Sequence, residues 1–111
     1  RRVVFDGLAS ASECKFAVRE AVDLMEDLEE RPDGRTSCVL KSALASFAPE
    51  LYKFLTSLEV RMMVAIREHF GESKIFRSGS LLIRLRPPPA GYNGKDQYWR
   101  PHVDKANVPS Y

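Results

Sequence analysis

Residues 80–86 read SLLIRLR, and the fold class turns on them. Upstream, apolar residues recur every three or four positions, which is the period of a helix. Here a run of aliphatics alternates loosely with arginine, which is the period of a strand in a half-buried sheet. Residues 87–97, PPPAGYNGKDQ, must then form a loop, because three prolines remove backbone donors and Asn93-Gly94 is a turn signal. Residues 98–104, YWRPHVD, resume an extended pattern, since Pro101 pushes Arg100 out of the helical region. The change of period predicts an α+β chain.

Working back toward the start, Leu51, Phe54, Leu55, Leu58, Met62, Ala65, Ile66 and Phe70 lie at helical spacing. Pro49 suits the first position of that helix, where its missing N–H would have had no partner, and Gly71 suits its end. Residues 37–48 read as a shorter helix, and residues 31–37, RPDGRTS, as a turn. An earlier helix is marked by Ser10 three residues before Glu13, the spacing of a capping box. Its core face is predicted to hold Cys14, Ala17, Val18, Ala21, Leu24, Met25 and Leu28, with the acidic residues around Glu26 solvated on the other side. The opening residues, RVVFDG, read as a short strand and a turn. No internal repeat is visible.

The chain has 111 residues, 44% of them hydrophobic and 29% charged, which suits one folded domain or a part of one. Seventeen basic and fifteen acidic residues are interleaved, so neither a nucleic-acid surface nor a membrane surface is indicated. Arg77, Arg84 and Arg86 form the one local excess and read as a solvated strand face. Cys14 sits on the predicted apolar stripe, where a buried free thiol is expected, and two cysteines make no disulfide framework. No apolar run approaches the ~20 residues needed to cross a bilayer.

The closing stretch, YWRPHVDKANVPSY, carries the chemistry. In an extended segment, residues two apart share a side, so His102 and Asp104 present an imidazole nitrogen and a carboxylate oxygen to one point while Val103 turns into the packing. That is two thirds of the facial set of two histidines and a carboxylate that holds Fe(II) with positions open for other ligands. The same spacing also arises in surface hydrogen bonds and strand-end turns. Tyr98 and Trp99 either line such a site or cover the sheet, with core packing the better fit. Tyr92, in the preceding loop, stands near the mouth of such a site by position only. His69, near the end of the long helix, reads as a residue interacting with the helix dipole rather than as a ligand.

With SGSLLIRLRPP before it, the YWRPHVDK segment resembles the entry to the iron site in 2-oxoglutarate- and Fe(II)-dependent dioxygenases of the prolyl hydroxylase superfamily. It is most similar to the prolyl 3-hydroxylase-like branch and to the 2-oxoglutarate and iron-dependent oxygenase domain-containing proteins. The likeness is strongest over residues 81–111, and residues 1–71 fit as a helical support region. It implies two long helices packed on the opening strands, residues 72–111, of a double-stranded β-helix or jelly-roll. It further implies His102 and Asp104 as metal ligands, Fe(2+) and L-ascorbate as cofactors, 2-oxoglutarate as cosubstrate, and hydroxylation of a prolyl or other side chain of a polypeptide partner. The endoplasmic reticulum, or a luminal setting with an anchor upstream of Arg1, is the compartment such relatives suggest.

In that family a distal histidine and a basic residue gripping 2-oxoglutarate lie well downstream of the aspartate, whereas Asp104 stands seven residues before the last residue given. A barrel of some eight strands of about five or six residues each does not fit after Ser80 either. Residues 1–111 are therefore expected to be the N-terminal part of a larger catalytic domain, inactive alone. The main alternative is a non-catalytic interaction fragment or pseudoenzyme of the same fold. A zinc enzyme is disfavoured because no Cys-x-x-Cys or His-Glu-x-x-His spacing occurs.

Overall fold

The structure, a computed structural model, describes residues 2–30, 36–71, 74–77, 79–87 and 90–91. The first helix, α1 (Ala11–Glu26), starts where the capping box places it. Ser10 has an extended backbone, its Oγ accepts from the Glu13 N–H at 3.1 Å, and its own N–H donates to Glu13 Oε1 at 2.9 Å. Two backbone donors that a helix start leaves free are thus satisfied reciprocally. The longest helix, α3 (Pro49–Phe70), begins on its proline and ends on Gly71, whose φ of 64° is a left-handed conformation that costs glycine little.

Between these helices lie β1 (Thr36–Leu40) and the short α2 (Lys41–Phe47), and after them comes β2 (Leu81–Leu85). β1 and β2 pair antiparallel, Thr36 opposite Leu85 and Leu40 opposite Leu81. The Lys41 N–H donates to the Ser80 carbonyl at 3.0 Å, which carries the pairing one step past the strand ends. The described residues are therefore a mixed α and β assembly, three helices with a small antiparallel sheet.

Two expectations need correction. Residues 37–48 are not one short helix, because residues up to Leu40 are strand. Ser37 and Val39 alternate onto the buried side there, and β2 supplies partners for their backbone groups. The opening strand is also not formed. Residues 2–7 carry no strand pairing among the described residues, and the apolar groups find a helix instead of a sheet edge. Val3, Val4 and Phe5 border a groove with Ile66 and Phe70, and the Phe5 ring meets His69 edge-on, centroids 5.5 Å apart.

The core gathers where α1, β1, α2 and α3 meet. Met25, Val39, Leu44 and Leu51 are buried, with Ala17, Ala21, Leu24, Leu28, Leu55 and Leu82 packed against them. The predicted face of α3 grows more exposed along its length, from Leu51 at 1% to Met62 at 44% and Phe70 at 40%. Cys14 is exposed rather than buried, and Val18 is too. The reason is that the core lies against the C-terminal half of α1, at Met25, while farther back the packing contact to α3 is made by Phe16 against Phe54. Both cysteines are free.

Leu44→Ala is expected to destabilise the chain by about 2–5 kcal/mol, the usual range for a fully buried aliphatic truncated to a cavity. Met62→Ala, although on the same predicted stripe, is expected to change stability by no more than about 0.5 kcal/mol. Urea denaturation of both variants separates a core centred on Leu44 from one running the length of α3.

Candidate functional site

The most developed polar cluster among the described residues is centred on Glu59 of α3. Lys41 Nζ donates to Glu59 Oε2 at 2.7 Å, Ser80 Oγ donates to Glu59 Oε1 at 2.6 Å, and Arg77 forms a close ion pair with the same carboxylate. Lys41 is 6% exposed and lies over the Tyr52 ring, its Nζ 5.0 Å from the centroid. Burial pushes the Glu59 carboxyl up, but the hydrogen bonds from Lys41 and Ser80 and the charges of Lys41 and Arg77 outweigh it and leave it below 4.5. An open cavity of about 410 Å³ lies beside the cluster, between Lys41, Tyr52, Glu59 and Arg77. Both cations already face the carboxylate, so the arrangement is a brace rather than a free anion receptor: it ties the start of α2 and the segment entering β2 to the middle of α3.

A second brace ties α1 to α3. Arg61 Nη1 donates to Glu13 Oε1 at 2.9 Å and Arg61 Nη2 to Glu13 Oε2 at 2.7 Å, and Nη1 also donates to the Leu8 carbonyl at 2.9 Å. This fork geometry is the strong form of an arginine–carboxylate pair. Hydrogen bonds from Arg61, then from the Ser10 N–H, lower the Glu13 carboxyl to about 2, and the Arg61 guanidinium is raised in turn by Glu13. The helix-capping glutamate is therefore also a tertiary anchor.

The sheet has two unlike faces. Ser37, Val39, Leu82 and Arg84 point toward the helices, whereas Cys38, Leu40, Leu81, Ile83 and Leu85 point away. Thr36 is buried at one end of the second face, and the rest of it is apolar and open: Leu40 is 61%, Leu81 51% and Ile83 42% exposed. The expected solvated arginine face is corrected at Arg84. Arg84 has only 18% of its side chain exposed and donates to Glu26 Oε1 at 3.1 Å, Arg86 pairs closely with Glu30, and Arg77 with Glu59. Glu26, at the end of α1 and read from sequence as merely solvated, draws Arg84 inward, whereas Arg77 and Arg86 each keep 47% of the side chain exposed. Arg84 Nε and Nη2 and the Ser37 Oγ across from it are buried with no hydrogen-bond partner among the described residues.

His102, Asp104, Tyr98, Trp99 and Tyr92 lie outside the described residues, as do residues 31–35 and the Asn93-Gly94 turn. Among the described residues no group of three or more His, Cys, Asp or Glu could hold a metal ion, and no helix is long and apolar enough to cross a membrane. His69 is in the last turn of α3, its ring packed edge-on against Phe5 and Phe70. Sequence reasoning missed the roles of Lys41, Glu59 and Arg61. The signal that could have found Glu59 is its place at i+4 from Leu55 and i−3 from Met62, on the border of the apolar stripe of α3. No family model, curated protein or solved structure matches this chain.

Glu59→Gln is expected to destabilise the chain by about 3 kcal/mol at neutral pH, because buried Lys41 loses its counter-charge. The sign with pH follows from the lowered carboxyls. Their stabilisation is complete above the ordinary value of 4.5 and is lost as pH falls through the folded-state value, which for Glu13 is about 2. Stability measured by denaturation should therefore fall between pH 4.5 and about 2, with a shallower fall in Glu59→Gln.

Proposed function

We propose that residues 1–111 are the opening part of an Fe(II)- and 2-oxoglutarate-dependent dioxygenase domain, whose complete form hydroxylates a prolyl or other side chain of a polypeptide. The observation that carries this reading is the His102-x-Asp104 pair in the stretch YWRPHVDK, with Pro101 enforcing an extended backbone before it. A neutral imidazole and a carboxylate projecting from one side of a strand are a mixed nitrogen and oxygen donor set. That set suits Fe(II) better than the all-oxygen surroundings preferred by magnesium or calcium.

The scaffold is compatible with the proposal in one specific respect. A jelly-roll packs two sheets face to face, and here the sheet is covered by helices on one side and offers Leu40, Leu81 and Ile83 on the other. When bound, iron would supply the site for oxygen activation, with 2-oxoglutarate as the electron source and ascorbate keeping the metal reduced. The residues of this chain have the simpler tasks. His102 and Asp104 hold the cation, and the extended backbone fixes their spacing.

The open apolar sheet face equally suits a non-catalytic interaction module with a vestigial His–Asp pair, and metal dependence separates the two. In a chain extended to the complete catalytic domain, Asp104→Ala should abolish 2-oxoglutarate decarboxylation and leave the circular dichroism spectrum unchanged. Unaltered turnover in that variant would remove Asp104 from the mechanism. For residues 1–111 alone, anaerobic calorimetry should find weak Fe(II) binding that disappears in His102→Ala, because two protein ligands hold a divalent ion poorly. Tight stoichiometric binding there would mean that a third ligand lies within this chain.

A further inference from the structure

The brace around Glu59 leaves positive charge over. Lys41, with 7% of its side chain exposed, donates to Glu59 Oε2 and already neutralises that carboxylate. Arg77 pairs with the same oxygen while keeping 47% of its side chain exposed, so it is a second cation on one negative charge. Arg67, about two turns farther along α3, is exposed and donates Nη2 to the Ile75 carbonyl at 3.0 Å. A carbonyl carries no formal charge to offset it, and among the described residues no carboxylate pairs with Arg67. All four groups border the same open cavity of about 410 Å³. Three cations and one carboxylate leave an excess of two, which equals the formal excess of the whole chain. The remaining residues are neutral in sum.

The rest of the cavity wall is largely apolar. Glu59, Met63 and Arg67 recur every four residues and so lie along one face of α3, with Val60 and Val64 beside them. The bonds from Arg67 to Ile75 and from Arg77 to Glu59 lay residues 75–77 back along that face. Ile75 and Phe76 therefore meet the cavity together with Val60 and Val64. Phe76 is 85% exposed, and both valines are exposed as well. A concave apolar surface with a few fixed charged groups is the usual form of a small-molecule site.

We propose that this cavity binds a phosphate monoester with an apolar body, its head between Arg67 and Arg77 and its body against Val60, Val64 and Phe76. A phosphate monoester carries about −1.5 to −2 charge at neutral pH, which matches the excess, whereas a single carboxylate would leave one cation uncompensated. The planar fork of a guanidinium also fits phosphate oxygens in pairs. Lys41 is not a gripping group, because it is buried and committed to Glu59, and its charge is what frees Arg77 for a second anion. The proposal does not rest on the oxygenase reading.

Phenyl phosphate titrated into the nitrogen-15-labelled chain, followed by NMR, tests it. The Val60, Val64 and Phe76 amides should shift saturably, with a dissociation constant on the order of 1 mM, as suits one anionic head and one shallow apolar wall. Inorganic phosphate, which lacks the ring, should bind at least about tenfold more weakly. Arg67→Gln should weaken phenyl phosphate about tenfold and leave the spectrum otherwise folded. Arg19→Gln removes the same charge from α1, where the side chain is 69% exposed, and should leave the affinity unchanged. Absence of saturable shifts at these amides would overturn the proposal. So would equal losses in the two variants, which would assign the effect to net charge, or equal binding of inorganic phosphate, which would leave the apolar wall without a role.

Discussion

The nearly buried pair of Lys41 with Glu59 is the constraint on which the placing of the sheet depends. Lys41 directly follows β1, and its own N–H is the backbone donor to Ser80, the residue before β2. Ser80 in turn donates its hydroxyl to the other oxygen of Glu59. One carboxylate on α3 thus holds the ends of both strands at once. Two charges removed from water are costly unless their geometry and remaining hydrogen bonds are good. Here Tyr52, Ser80 and Arg77 complete the set. The arrangement specifies position more than it adds stability, since a hydrophobic replacement could pack as well but would not select one alignment of strand ends over another.

Glu13 and Arg61 act on the same helix from the opposite direction. Because the glutamate that caps α1 is also gripped by α3, the start of α1 and its orientation on α3 are one decision. From that start α1 runs past Phe16 and Ala21 to Met25 in the core, and its last acidic residue reaches Arg84 of β2. The helices therefore locate the sheet twice, through Glu59 at one end of β2 and through Glu26 nearer the other. Neither link needs the loops that join the elements.

Much of this frame was legible from residue order, where local chemistry decides the outcome. The Ser10–Glu13 box, Pro49 and Gly71 marked helix ends because their backbone preferences act within one turn. β2 was legible from its period. β1 was not: the stretch SCVLKSALASF has apolar residues that fit helical spacing, and α2 begins at Lys41 behind Leu40, which makes no side-chain capping bond to mark it. Tertiary pairing with β2 overrides the helical pattern of its first residues. The inward turn of Arg84 was hidden for a related reason. Alternation gives two faces but not which is buried, and here the face with the larger aliphatics, Leu81 and Ile83, is the open one. Cys14 and Val18 were misjudged because a helical stripe shows the side that can be buried, not how far the core extends along it. Of the candidate site, His102 and Asp104 lie outside the described residues, and the brace from Glu59 to the ends of β1 and β2 was not legible, because Lys41, Glu59 and Ser80 are far apart in the sequence.

These points meet in the phase of one ladder. A strand has a period of two, so displacing a pairing by one residue exchanges its faces completely. The bond from the Lys41 N–H to Ser80 sets the phase of β2 against β1. Glu59 holds both of those residues, so the phase is tied to α3 rather than left to the weak preference of two short strands. Whatever pairs with the other edge of β2 inherits that phase.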